Sequence, residues 1–386
     1  MKSPDGSEPV KRRKTQPGFT LYELLVAVVV ATILIVMVYT VYTKASRSYR
    51  NQSMAVAMQQ HARFAIDHLR RDIALAGFNA TPNSTLDPNV CMQPASPLRA
   101  ITAKRSLAGT TVASPTQNPN IAPLEFTLFG DYTGANGEIF ITQSVAGNTV
   151  TLQTGFETLI TEAKFLRIFA DNKRRYLRIV DAEQYEVYIP ISGANYGARQ
   201  IVLESAPPVR SGTQTCGIQG FGLGLQVSPA MFIRYRLELT DAARGATALV
   251  REDVQVDGVT PVEDSKLLIA DNVVDFSAYD FVLDNDATKR SPSLAVTAIP
   301  DASILDESGE GGVLGSLSAT SQNLRFMTIK VTVRTDQEDP ELTHVPRAGP
   351  YTRMNTYDVY PGLEGAARTL SLTSKVMLQT LAVRNI

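Results

Sequence analysis

The chain opens polar and basic, then turns apolar almost without a break: from Leu24 to Val38 only Thr32 interrupts the run. One carboxylate, Glu23, stands at its start. Neither proline nor glycine occurs between Phe19 and Ala76, so the pattern predicts a single helix over 19–76. Its first part, Phe19–Tyr42, would rise about 36 Å, enough to cross a bilayer. In the second part Met58, Ala62, Ala65, Leu69, Ile73 and Ala76 recur at helical spacing, while Arg63, Asp67, Arg70 and Arg71 fall mainly on other faces. That half therefore has an apolar stripe to bury against a globular head. Gly77 follows the last periodic residue as a natural stop.

Beyond Phe78 the period shortens. Runs with strand character are predicted at 124–129, 138–142, 149–153, 164–170, 176–180 and 185–189. In the last, Tyr185, Val187 and Ile189 alternate with Glu186 and Tyr188, as in a half-buried strand. Further strands are predicted at 231–239, 248–254, 267–276, 281–283 and 324–335, with 376–383 readable as strand or short helix. Ala135-Asn136-Gly137 and 241–245 read as turns, and 80–97, 115–123, 303–318 and 340–361 as irregular segments.

Charge excludes little. The chain has 37 basic and 38 acidic residues in 386, so nothing points to nucleic acid as a partner. Lys11, Arg12, Arg13 and Lys14 precede the apolar run and place the N-terminus in the cytoplasm, with everything beyond about Tyr42 outside the inner membrane. Lys44, Arg47 and Arg50 weaken that asymmetry without reversing it. Export bears on the two cysteines, Cys91 and Cys216: an oxidising compartment favours a disulfide between them over two unlinked thiols.

The stretch Gly18-Phe19-Thr20-Leu21-Tyr22-Glu23-Leu24-Leu25, behind its basic leader, resembles the processing site of class III signal peptides of type IV pilins and pseudopilins. The resemblance implies cleavage between Gly18 and Phe19 by a prepilin peptidase and N-methylation of Phe19. It also implies that Glu23 pairs with the new amine of a neighbouring subunit. A lone carboxylate in lipid is costly, so such pairing would offset part of the burial cost. Leu69–Phe78 is similar to the end of the N-terminal helix of PilW-like minor pilins. So are 232–237, 248–252, 269–276, 330–335 and 383–385 to parts of their C-terminal half; the likeness is weak over about 95–215.

The implied fold is α+β: a cleaved leader (1–18), an anchor helix (19–42), an amphipathic continuation (43–77), and a β-rich head (78–386). The head is an antiparallel sheet with a large β-rich insertion, divisible at about 215/216. The implied function is that of a minor pilin in priming or at the tip of a type IV pilus, with roles in adhesion or twitching motility. Its partners would be other minor pilins, the major pilin, the peptidase and the inner-membrane assembly platform. It would reside in the inner membrane first and in the extracellular pilus afterwards. The alternatives are a J-type pseudopilin of a type II secretion system and, from another class, a membrane-anchored adhesin or enzyme.

No catalytic constellation, cofactor motif or metal set stands out. His61 and His68 share a helix side without further ligands, and Asp284-Asn285-Asp286 reads as a solvated turn rather than a calcium loop. Gly220-Phe221-Gly222-Leu223-Gly224 lacks the lysine of a phosphate loop and reads as a flexible segment. Tyr351, Tyr357 and Tyr360 either pack over the head's own sheet or form an exposed contact loop.

Overall fold

The computed structural model describes residues 20–91, 94, 96–105, 123–134, 137–170, 174–210, 216–220, 222–241, 245–284, 296–298, 321–344, 356–359 and 365–383. Helix α1 spans Leu21–Ala74, and the chain divides into two units, Met1–Val56 and Ala57–Ile386. In the second unit, Ala62, Ala65, Leu69 and Ile73 are fully buried, which is the predicted apolar stripe. Gly77 takes φ +75°, the left-handed conformation that ends helices, and its N–H donates to the Phe129 carbonyl at 2.8 Å. A Cβ there would lie 2.7 Å from Leu381 Cδ2, so any other residue would also have to displace that side chain.

Among the described residues the head is built from fifteen strands and two further α-helices. The strands are β1 Ile101–Arg105, β2 Leu124–Gly130, β3 Phe140–Ala146, β4 Thr149–Leu152, β5 Tyr176–Val180, β6 Glu186–Asn195, β7 Gln200–Leu203 and β8 Gln226–Asp241. They continue with β9 Ala246–Val254, β10 Leu267–Asp271, β11 Val273–Asp284, β12 Val296–Ala298, β13 Leu324–Arg334, β14 Thr356–Tyr357 and β15 Ala367–Met377. The helices are α2, Glu162–Phe169, and α3, Gln379–Val383.

One strand organises the first sheet. The start of β8, residues 226–230, pairs with β3 on one side and β5 on the other. Its continuation pairs with β2 and β9, giving the antiparallel order β1-β2-β8-β9-β10. The remaining pairings, β3–β4, β4–β7, β7–β6 and β6–β5, return to β8 and close a ring of six antiparallel strands. Closure removes free edges, and the interior is filled rather than hollow. Phe140, Phe156, Phe165 and Phe169 pack there with aliphatic residues of β4 to β8. This closed module is the β-rich insertion between β2 and the main part of β8.

The second sheet has the order β12-β11-β13-β15-β14. Asn272, at φ +57°, turns the chain from β10 in one sheet to β11 in the other. Phe126 of β2 meets Phe276 of β11 with ring centroids 5.2 Å apart. The buried guanidinium of Arg334 donates to the carbonyls of Thr335 and Gly245, at 2.8 and 3.0 Å, tying the end of β13 to the β8–β9 connection.

Several expectations need correction. Residues 164–170 form most of α2, not a strand. Phe165, Ile168 and Phe169 lie at helical spacing and point into the insertion's core, and the Arg175 side chain donates to the Arg167 and Ile168 carbonyls at the helix end. The strand at 185–189 is buried on both faces, not one. Tyr188 is covered because it packs with Ala80, Leu98, Phe129 and Phe232 in a second apolar cluster, while 89–91 pairs alongside Glu186: the Cys91 N–H donates to the Glu186 carbonyl, and the Glu186 N–H to that of Asn89. The predicted run at 267–276 is two strands in two sheets. Most of β15 was not predicted; its residues alternate serine and threonine with leucine and give little apolar signal.

The glycine-rich stretch is pinned rather than flexible at its described positions. The Gly224 N–H donates to the Thr142 carbonyl, and a Cβ on Gly222 would lie 2.5 Å from Val145. Tyr357 is buried with Val274, Val359 and Ala367, so it packs over the sheet. Outside the described residues lie Ala135, Asn136, Phe221, Asn285, Asp286, Tyr351 and Tyr360, and the segments 115–122, 303–318 and 345–354.

Candidate functional site: the N-terminal motif and the anchoring of its helix

Two ends of α1 carry polar contacts with distinct roles. At the N-terminus, the Glu23 amide donates to Thr20 Oγ1 at 3.3 Å. In return the Thr20 amide and hydroxyl both donate to Glu23 Oε2 at 3.0 Å. This is a capping box, in which threonine and glutamate three residues apart satisfy each other's backbone N–H groups. The carboxylate also sits where the helix dipole favours negative charge. Glu23 thus has a local partner that the sequence reading missed, although the signal, Thr-x-x-Glu ahead of an apolar run, was present. Gly18 and Phe19 lie outside the described residues.

Along the apolar run the few hydroxyls turn back to the helix. Thr32 donates to the Val29 carbonyl at 2.8 Å, Thr40 to Met37 at 2.7 Å and Thr43 to Thr40 at 3.0 Å. Each thereby satisfies its donor without water, as a membrane interior demands. An 18-residue window of α1 has a mean hydropathy of 2.9, and none of it is buried within the chain.

The other end is held by Asp72, almost wholly buried. Its Oδ2 accepts from Tyr235 Oη at 2.7 Å and from Arg251 Nε at 2.9 Å, while its carbonyl accepts from Tyr132 Oη at 2.7 Å. Tyr235 and Arg251 are register partners on β8 and β9, so one carboxylate joins α1 to two neighbouring strands. Burial, then the Asp72 charge, pushes the Tyr235 phenol far above its ordinary range. Burial opposes the Arg251 charge, but Asp72 outweighs it and holds the guanidinium protonated. Thr380 of α3 donates to the Ala76 carbonyl, satisfying another group at the helix end. Sequence patterning marked Asp72 only as part of a resemblance; its partners lie 163 and 179 residues away.

Cys91 and Cys216 form a disulfide with Cα atoms 5.4 Å apart, spanning 125 residues. It links the segment along β6 to the stretch that leads into β8. A second buried carboxylate stabilises the same region: Glu186 accepts from Arg178 through two nitrogens, at 3.0 and 2.6 Å, and from Tyr188 Oη at 2.6 Å. His61 is exposed and His68 half-buried against Phe64; burial, then Arg71, lowers the His68 pKa. Among the described residues no three metal-ligating side chains converge.

Residues 13–39 match the family model described as the prokaryotic N-terminal methylation motif. The chain is similar there to type IV pilins and pseudopilins. This pilin-type motif implies processing by a prepilin peptidase and assembly with other pilins. Joined to the apolar part of α1, it marks a membrane anchor. No curated protein and no solved structure matches the chain.

Proposed function

We propose that this pilin-like chain is a non-enzymatic minor pilin of a type IV pilus, of the PilW-like kind, acting in priming of assembly or in the tip complex. The methylation motif running directly into α1 carries the proposal. In this reading the peptidase cuts between Gly18 and Phe19 and methylates Phe19. The apolar half of α1 then moves from bilayer to filament core, where helix packing replaces lipid. Glu23, already capped by Thr20, pairs with the terminal amine of the adjacent subunit and sets register. The local cap lowers the cost of burying Glu23 before that partner arrives.

The size of the head supports a minor rather than a main subunit. Residues 57–386 form one compact unit with a closed barrel-like insertion, bulky to repeat at every step of a thin filament. The disulfide suits exposure outside the cell. Deletion of the gene, scored in parallel for piliation, twitching motility and protein secretion, tests the proposal. Loss of pili and twitching with secretion intact is expected. Loss of secretion with normal pili would identify a J-type pseudopilin instead.

A further inference from the structure

Between Glu23 and Asp67 the chain contains no aspartate or glutamate, yet it carries Lys44, Arg47, Arg50 and Arg63. The first three follow the apolar run directly and are exposed on α1. Leu24–Thr43, the apolar part of the helix beyond Glu23, rises about 30 Å, the thickness of the hydrocarbon core. Lys44, Arg47 and Arg50 therefore fall within two turns of the hydrocarbon edge, at headgroup depth. Tyr39 and Tyr42, exposed by 66% and 69%, come just before them, where amphipathic rings favour the interface. Steps of three keep the cations within about a third of the helix circumference. Like charges at that spacing gather positive potential on one side of the helix.

We propose that Lys44, Arg47 and Arg50 form a headgroup site for anionic phospholipid in the leaflet opposite the leader. Juxtamembrane cations are attracted to such headgroups, and the tyrosines fix the depth at which they act. The consequence of the site rests on the leader cleavage of the proposed function. Cleavage after Gly18 removes Lys2, Lys11, Arg12, Arg13 and Lys14. The uncut chain has cations at both membrane faces; the cut chain keeps side-chain cations only at the outer one. Processing thus inverts the charge balance across the anchor. It leaves the subunit held electrostatically by the leaflet through which it departs into a filament.

The test uses the full chain purified from its own membranes and placed in nanodiscs of phosphatidylcholine with or without phosphatidylglycerol. Retained lipid is read by native mass spectrometry. Wild type should retain phosphatidylglycerol preferentially. Each change of Lys44, Arg47 or Arg50 to Gln should lower that retention about fivefold, and the triple variant should lose the preference. No preference in wild type, or an unchanged preference in the triple variant, would overturn the site. Failed incorporation of the triple variant into filaments with its lipid preference intact would also overturn it, and would assign these cations to an acidic protein partner. The same spectra give the first residue. A chain starting at Met1 whose preference depends on the three cations sustains the lipid site but refutes cleavage. One starting at Phe19 without a preference does the reverse.

Discussion

Two stretches of one helix, an unbroken apolar run and an apolar stripe among charged residues, have opposite surroundings. Leu69 and Ile73 are fully buried by the head, whereas Leu34 and Ile35 are 55% and 66% exposed, as are their neighbours along Leu24–Val38. Burying such a side chain is worth about 1.5–3 kcal/mol. For the second stretch that free energy is realised inside the chain and holds the head together. For the first it is available only from lipid or from other helices. The same residue types thus encode folding at one end of α1 and association at the other.

The comparison can be broken most severely through the head's covalent link. Replacing both Cys91 and Cys216 by serine should cost the detergent-solubilised protein roughly 5 kcal/mol in the chain-entropy picture, given the long loop they close. Urea unfolding, followed by tyrosine fluorescence, measures it. Membrane extraction of the same variant should be unchanged, because the anchor lies outside the link.

Leu69→Ala against Leu34→Ala is the sharper contrast. The first removes a fully buried side chain and should destabilise the head by about 3 kcal/mol. The second should leave head unfolding where it was. Equal losses would mean that the apolar run is part of the head's own core.

Alkaline pH separates the regions next. Tyr235 has its pKa raised, and those of Tyr176 and Tyr188 are pushed up to about 12. A raised pKa means the folded state keeps its proton after the unfolded state has released it. Stability is therefore fully present below pH about 10 and falls above it, by about 1.4 kcal/mol per pH unit for each such tyrosine. Head unfolding measured from pH 9 to 11 should show this fall, and Tyr235→Phe should make it shallower.

The smallest effect is expected at the capping box. Thr20→Ala should destabilise the start of α1 by about 1 kcal/mol, seen as faster amide exchange in the first turn. Head unfolding should not move.

Which features could be read from sequence follows the range of the interactions that fix them. The helix was legible because its signal is local: no breaker between Phe19 and Ala76, a four-and-three stripe, and Gly77 at the end. Strand β5 was predicted with its observed boundaries, Tyr176–Val180, since it is a short apolar run with charged neighbours. Residues 164–170 were misread because an apolar run this short fits either period, and Phe165, Ile168 and Phe169 declare a helix only when grouped by spacing. Ring closure through β8 was not legible, because no local pattern says that residues 226–230 will pair on both sides. The same holds for Asp72, whose partners on β8 and β9 are brought to it only by the fold. Glu23 was singled out for its cost in lipid, while its nearest partner, Thr20, passed unnoticed.

The account depends most on the fate of the leader, and intact-mass and N-terminal analysis of the membrane-extracted protein tests this directly. The expected product begins at Phe19 and carries one added methyl group on its amine. A product still beginning at Met1 or Lys2 would contradict it.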